Sequence, residues 1–401
     1  MTESLVTADL LDTESKRCER LPISGLLALA TAGFITILTE ALPAGLLPQM
    51  SLDLKVSQAL VGQLVTFYAL GSLLAAIPLV LLTQGWRRRP LLLTAIGGFA
   101  VVNSVTALSD NYTLTLIARL FAGVFAGLLW ALLAGYASRM VAPRLQGRAI
   151  AVAMLGAPLA LSLGIPAGTL LGNVLGWRLS FAIMTLLTLV LIGWVRFQVP
   201  DFPGQRAEKR LSLTRVFTLP GIRPVLFVTF AFVLGHNILY TYIAPFLQAA
   251  GIAGQIERVL LVFGLAAVAG IWGVGLLIDR WARQLVLISC SLFILCALIL
   301  AFYSQLPLAI YTAVAIWGVS FGGLPTLLQT ALAKTAGDSA DAAQSMLVTV
   351  WNLAIAGGGL AGAVLLEGPG VATFSWVIIG LLLMSLWVTA NARRHGFPAL
   401  G

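Results

Sequence analysis

The chain reads as long apolar runs broken by short polar interruptions. Crossing a bilayer takes about 20 mostly apolar residues. Twelve such runs can be traced, roughly 22–47, 58–82, 91–108, 113–137, 149–174, 179–197, 224–249, 257–277, 285–302, 306–333, 342–366 and 371–391. They are too long for barrel strands and lack the strict alternation that a lipid-facing strand requires. The pattern predicts an all-α integral membrane protein of twelve transmembrane helices, with a polar N-terminal tail at 1–21, six spans over 22–197, a linker at 198–223, six more over 224–391 and a short tail at 392–401. No cleavage site follows the first apolar run, so it is expected to be a retained span.

Composition agrees. Of the 401 residues, 59% are hydrophobic and 10% charged, too few charges to solvate a soluble surface of this size. Cys18, Cys290 and Cys296 show no ligand spacing, and without a His pair or acid cluster neither a metal nor another cofactor is expected. The net charge of +9 is a topology signal rather than a nucleic-acid footprint. Counting span-edge residues with their loops, the side that carries both termini and the linker holds 20 of the 24 Lys and Arg, and the other side holds Lys55, Arg178 and Arg258. Basic loops stay inside, so both termini are expected in the cytoplasm.

The central linker suggests a duplication. A shift of 195 residues lays Trp86 and Arg88 on Trp281 and Arg283, Gly123 on Gly318, and Gly127 on Gly322. Four-residue glycine spacing puts both glycines on one helix face and permits close backbone approach. Gly164, Pro166 and Gly168 should bend span five, because proline removes a donor and clashes one turn back.

Ionisable groups inside spans are expensive, on the order of 2.5–3.5 kcal/mol for Arg, Lys or Asp by insertion scales. Glu40 in span one, Arg119 in span four and His236 in span seven stand out. At ~1.5 Å per residue, Glu40 lies ~10 Å and Arg119 ~9 Å from the outer ends of their spans, with His236 ~18 Å up from the inner end. Glu40 reads either as a proton-binding carboxyl or as one member of a static charge pair. Arg119 reads as the partner of Glu40 in either role, or as a residue that snorkels outward. His236 reads as a substrate or proton contact, or as a packing residue. Tyr68, Trp130, Tyr240, Tyr242, Gln329, Gln344 and Asn352 are candidate cavity residues, since aromatic faces with polar tips suit an amphipathic ligand. Each aromatic alone also fits a core or interfacial belt. No catalytic motif appears, so no enzyme activity is expected.

Several stretches resemble the major facilitator superfamily, in its twelve-span drug–proton antiporter branch, and are most similar to bacterial sugar and arabinose efflux permeases. Span one ends in Thr39-Glu40-Ala41-Leu42-Pro43-Ala44-Gly45-Leu46-Leu47-Pro48, near the "TEF…GLLP" of those permeases. Arg119, Gly123 and Gly127 match "RxxxGxxxG", Gly164 to Gly168 resembles a loosened antiporter motif, and Tyr240 to Phe246 resembles "YTYIxPF". Gly275, Asp279, Arg280 and Arg283 fit the "GxxxDRxxR" loop, whereas the equivalent loop after span two carries Gln84 in place of the acid.

The resemblance implies the major facilitator fold of two rocking six-helix halves, with spans one, four, seven and ten around a central cavity. It places Glu40, Arg119, His236 and Tyr240 on cavity helices, so that Glu40 is expected to carry a proton tuned by Arg119, and His236 and Tyr240, with the candidates Tyr68, Trp130, Asn352 and Gln329, are expected to line a substrate cavity. It gives Gly164, Pro166, Gly168, Asp279, Arg280, Arg283 and Arg88 conformational roles, and puts the first-half latch in doubt at Gln84. The implied partners are a small-molecule substrate, protons and the bilayer around a monomer, with no nucleic acid. The implied activity is efflux of a sugar, nucleoside or amphipathic drug. A sugar importer or facilitator on the same fold, and a non-transporting membrane receptor or scaffold, are the alternatives.

Overall fold

In hydrocarbon every backbone N–H and C=O must be satisfied within the protein, which favours helices wherever the chain is apolar for long enough. The computed structural model describes residues 21–83, 85–142, 145–204, 216–336 and 340–397. Most of the N-terminal tail, Gln84 and linker residues 205–215 lie outside them. Among the described residues, twelve helices are long and apolar enough to cross a membrane. The described residues form the all-α, twelve-span architecture that the sequence predicts. Large side chains such as Leu52, Leu82, Leu108 and Leu308 remain exposed on the outside, as a lipid-facing surface requires.

The helices start and stop for local reasons. Ser57 caps span two (Gln58–Leu82) by accepting from the Leu60 N–H, and Asn111 caps span four (Tyr112–Arg139) by accepting from Leu114. Span one runs Ile23–Leu54, past the expected end at 47, because Pro43 and Pro48 sit within the helix without ending it. Glu40 is therefore about 21 Å of helix from that end, much deeper than the sequence suggests.

Other prolines do break their helices, each just upstream. Span seven divides at Tyr242 into Ile222–Thr241 and Ile243–Ala249, ahead of Pro245. Span ten divides at Gly323 into Pro307–Gly322 and Leu324–Ala336, ahead of Pro325. Span five holds a π-turn at Ala160–Gly164 immediately before Pro166. In each case proline withdraws the N–H that would bond the carbonyl four residues earlier. Spans eight (Ala253–Ile278) and nine (Arg280–Tyr303) are two helices that meet at Trp281, whose φ of −129° and ψ of 21° are not helical, so the expected connection at 278–284 shrinks to a tight break.

The 195-residue repeat is physical. A Cβ on Gly123 would meet the Tyr68 carbonyl oxygen at 1.8 Å and the Ser72 nitrogen at 2.8 Å, while one on Gly318 would meet the Phe263 oxygen at 2.4 Å and the Ala267 nitrogen at 3.2 Å. Each partner is itself offset by 195 residues. Span four thus packs on span two as span ten packs on span eight.

The first half has its own core around Leu29, Phe99, Leu129 and Leu133. The second core reaches across the halves, joining Leu46, Met50 and Leu64 of spans one and two to Phe246, Leu247 and Phe374. Those residues lie toward the side opposite the linker, called here the far side. Span eleven (Ala340–Glu367) runs beside span two there, and Gly264 of span eight sits against the backbone of Leu161 and Ser162 in the π-turn.

Candidate functional site

The three costly residues occupy the centre, and their surroundings differ sharply. Arg119 is 1% exposed. Its guanidinium donates to three backbone carbonyls, Leu64 through Nε at 3.2 Å, Glu40 through Nη2 at 3.0 Å, and Thr39 through Nη1. Thr39 is four residues before Pro43, so its carbonyl has lost its helical partner and is open to another donor. A guanidinium offers five donors in a fixed fork, which matches a set of carbonyls held by two rigid helices. The Tyr68 ring lies 4.9 Å beneath the guanidinium carbon, with its hydroxyl donating to the Thr36 carbonyl at 3.1 Å. Asn103 of span three (Arg88–Leu108) donates to the Thr39 hydroxyl at 3.1 Å.

The static Glu40–Arg119 charge pair therefore gives way to a different arrangement. The two residues are neighbours, but among the described residues no ion pair or hydrogen bond joins the Glu40 carboxylate to Arg119 or to any other group. Arg119 takes the Glu40 carbonyl instead. The carboxylate is only partly buried and lies near enough to Arg119, Tyr68 of span two and Tyr240 of span seven to act on all of them electrostatically.

His236 heads an aromatic cluster in the second half. It stacks on Phe321 with ring centroids 3.7 Å apart and on Tyr240 at 5.1 Å, with Trp317 at 5.2 Å and Phe263 at 5.7 Å. Among the described residues, His236 Nδ1, the Tyr240 hydroxyl and Trp317 Nε1 are buried without hydrogen-bond partners. Sequence reading found His236 and Tyr240 but passed over Trp317, which looks like any core aromatic until its indole nitrogen is seen unpaired.

The remaining sequence candidates scatter. Trp130 is partly buried and faces Gly33 of span one. Gln329 is exposed, and its carbonyl accepts from Gln344 at 3.0 Å. Asn352 donates to the Val348 carbonyl at 2.9 Å within its own helix. Gly164 and Gly168 face Phe34, Leu38 and Leu42 of span one, so these glycines pack span five within its own half.

The basic loop after span two is anchored by a residue that sequence reading missed. Asp201, at the start of the linker, bonds Arg87 Nε at 2.6 Å and the Arg89 N–H at 3.1 Å, and the Phe202 carbonyl accepts from the Arg88 N–H at 2.9 Å. Tyr136 donates to the Pro200 carbonyl at 2.6 Å and Arg139 to Pro203 at 3.1 Å. On the repeat-related side Arg283 donates to the Ala390 carbonyl at 3.2 Å, and Arg280 is exposed. Asp279 directly precedes Arg280, and its side chain lies outside the described residues. At the far side Arg178 pairs with Asp53 and, at 2.6 Å, with Asp110, while Trp177 donates to Asp53 at 2.9 Å.

Twelve apolar spans and a duplicated helix-packing contact beside a charged centre describe a multi-pass membrane protein. The family description "Major Facilitator Superfamily" matches residues 29–359, which takes in the glycine contacts of both halves together with Glu40, Arg119 and His236. The chain belongs to the Major Facilitator Superfamily and is a membrane transporter of that superfamily.

Proposed function

We propose that the protein exports a small molecule in exchange for protons by alternating access, as a member of the drug–proton antiporter branch, from a bacterial inner membrane with both termini in the cytoplasm. Glu40 carries the proton. One observation supports this above the others: the Glu40 carboxylate has no hydrogen-bond or ionic partner among the described residues, while the cation beside it is committed to backbone carbonyls. A carboxylate held in a static pair has no reason to exchange its proton during a cycle. An unpaired one, poised between residues of both halves, can bind a proton or a substrate group without dismantling the fold.

Arg119 keeps a fixed positive charge near that carboxyl and takes up the Thr39 carbonyl that Pro43 leaves without a helical donor. Its role is to hold the site's geometry while Glu40 changes charge. His236, Tyr240 and Trp317 offer aromatic faces and unpaired polar atoms to the substrate from the opposite half. One elementary charge crossing the membrane supplies about 2.3 kcal/mol per 100 mV, enough for roughly a 50-fold gradient.

The test is counterflow and pH-driven uptake in proteoliposomes, with sugars, nucleosides, amphenicols and dyes as candidate substrates. Glu40→Gln should abolish pH-driven uphill transport and leave thermal stability within about 1 kcal/mol of the parent, since no bond to the carboxylate is lost. Uphill transport that survives Glu40→Gln removes the coupling assignment. Accumulation that runs with the proton gradient rather than against it turns the reading into an importer.

A further inference from the structure

Two residues beyond Tyr240, span seven carries Tyr242, and its surroundings are unlike those of the aromatic cluster. Tyr242 lies at the helix break, with φ −111° and ψ 29°, and it is fully buried. Its ring crosses from the second half into the first. A Cβ on Gly62 of span two would meet the Tyr242 hydroxyl oxygen at 2.3 Å, and one on Gly362 of span eleven would meet the ring at 2.5 Å. The ring is therefore seated in a notch made by two glycines from helices of opposite halves. Any side chain at either position would fill the notch.

The hydroxyl is held as closely as the ring. It donates to the Gly359 carbonyl at 2.8 Å, has the Ala59 carbonyl as a second acceptor at 3.3 Å, and accepts from Gln63 Nε2 at 3.3 Å. Gln63 in turn lies 3.3 Å from the Gly359 carbonyl. Other bonds cross between the halves nearby, from Ser57 to Glu367 at 2.8 Å, from Gln58 to Gln248 at 3.2 Å and from Asn173 to Glu257 at 3.2 Å. Those are exposed, and water competes for each of their partners. The bonds of Tyr242 to the Gly359 and Ala59 carbonyls are buried, where a hydrogen bond is electrostatically stronger and leaving one unmade is costly.

We propose that Tyr242 is the bolt that holds the far side of the transporter shut. It is a positioning residue, with no contact to substrate required. The proposal rests on the reading that the two halves rock against each other, and it goes further by naming the group that sets which side is closed. The local backbone suits the task. Pro245 leaves the Thr241 carbonyl without its helical donor, so the helix Ile243–Ala249 is already separated from the rest of span seven. The ring can turn out of the notch with that short helix while Ile222–Thr241 stays intact. Since Gly62 contributes no side chain, withdrawal leaves nothing on span two to repack.

The experiment uses the full-length protein in membranes, with Cys18, Cys290 and Cys296 replaced and a cysteine pair introduced by Ser57→Cys and Glu367→Cys. Oxidative cross-linking of this pair reports far-side closure. Tyr242→Phe keeps the ring and removes the hydroxyl bonds, and it should lower the cross-linking rate by about threefold to tenfold. Tyr311→Phe is the matched control. It deletes another far-side hydroxyl, one that bonds Gln255 within the same half at 2.8 Å, and should leave the rate unchanged. Gly62→Ala should lower the rate at least as far as Tyr242→Phe, and should have no further effect when added to Tyr242→Ala, because the notch is then already empty.

A parent-like rate in Tyr242→Phe overturns the proposal, as do independent, additive effects of Gly62→Ala and Tyr242→Ala. If Gly62→Ala fails to fold, seen as aggregation on size exclusion, the tyrosine variants alone carry the decision. Cross-linking reads closure without substrate or proton gradient, so loss of the Glu40 assignment would leave this result standing, and the reverse holds.

Discussion

The two halves share one packing contact and fill the space around it with opposite chemistry. In the first half, the glycine of span four meets the backbone at Tyr68, and one turn earlier Arg119 drives its charge into the carbonyls of spans one and two. In the second half, the glycine of span ten meets the backbone at Phe263, and the position equivalent to Arg119 is the buried Val314. Charge is replaced there by stacked rings with three unpaired polar atoms. The repeated glycines serve helix approach, which both halves need. The unrepeated groups serve the single site between them, which neither half builds alone.

The sharpest way to break this comparison is at Arg119. Arg119→Ala leaves three carbonyls without their donor and should cost on the order of 3–5 kcal/mol in thermal unfolding. Val314→Ala, its counterpart, should cost about 2 kcal/mol through the cavity alone. Arg119→Lys should recover only part of the loss, since an ammonium cannot reproduce the planar fork. Equal losses at positions 119 and 314 would mean that the carbonyl anchoring contributes nothing special.

The glycines test the shared part. Gly123→Ala and Gly318→Ala both force a Cβ against backbone oxygen and should each destabilise by about 1–3 kcal/mol. Gly123→Ala should be the worse, since its contact is 1.8 Å against 2.4 Å. A tolerant Gly318 would show that the second half packs more loosely than its repeat.

The aromatic cluster should behave in the opposite way. His236→Phe and Tyr240→Phe remove polar atoms that have no partner, so unfolding should stay within about 1 kcal/mol of the parent or improve. Transport measured in parallel gives the second reading. A fall in transport at unchanged stability would mean that these atoms wait for a ligand, and a fall in both would mean that they already have partners in another state of the cycle.

The smallest effect belongs to the linker clamp. Burial pushes the Asp201 carboxyl up, but the Arg89 N–H and the Arg87 guanidinium outweigh it and hold the group below its ordinary range. The folded value thus lies under the unfolded one. The contribution is complete at neutral pH and is lost as pH falls through the lowered value. Because Arg87 is largely exposed, Asp201→Asn should cost only about 0.5 kcal/mol, and the difference from the parent should vanish in acid. A difference that persists at low pH would point to the shape of the clamp rather than its charge.

Much of this was legible in the chain because it depends on local rules. A run of apolar residues long enough to cross a bilayer closes its own backbone hydrogen bonds as a helix, so the spans, their number and the two-half architecture follow from order and composition. The glycine contacts were foreshadowed by a repeat, and the price of burying Glu40, Arg119 and His236 marked them as unusual. What each of them touches was not written there. An acid and a base at similar depth suggested a pair. Pro43 had instead freed the Thr39 carbonyl, and packing of spans one, two and four brought that oxygen to Arg119. The notch for Tyr242 needs glycines from positions 62 and 362 facing one ring. Nothing local distinguishes those two glycines from the chain's other glycines, because a contact of that kind exists only once distant helices have been set side by side. Helix formation is settled within each run of the chain, whereas the partners of its rare polar groups are settled by tertiary packing.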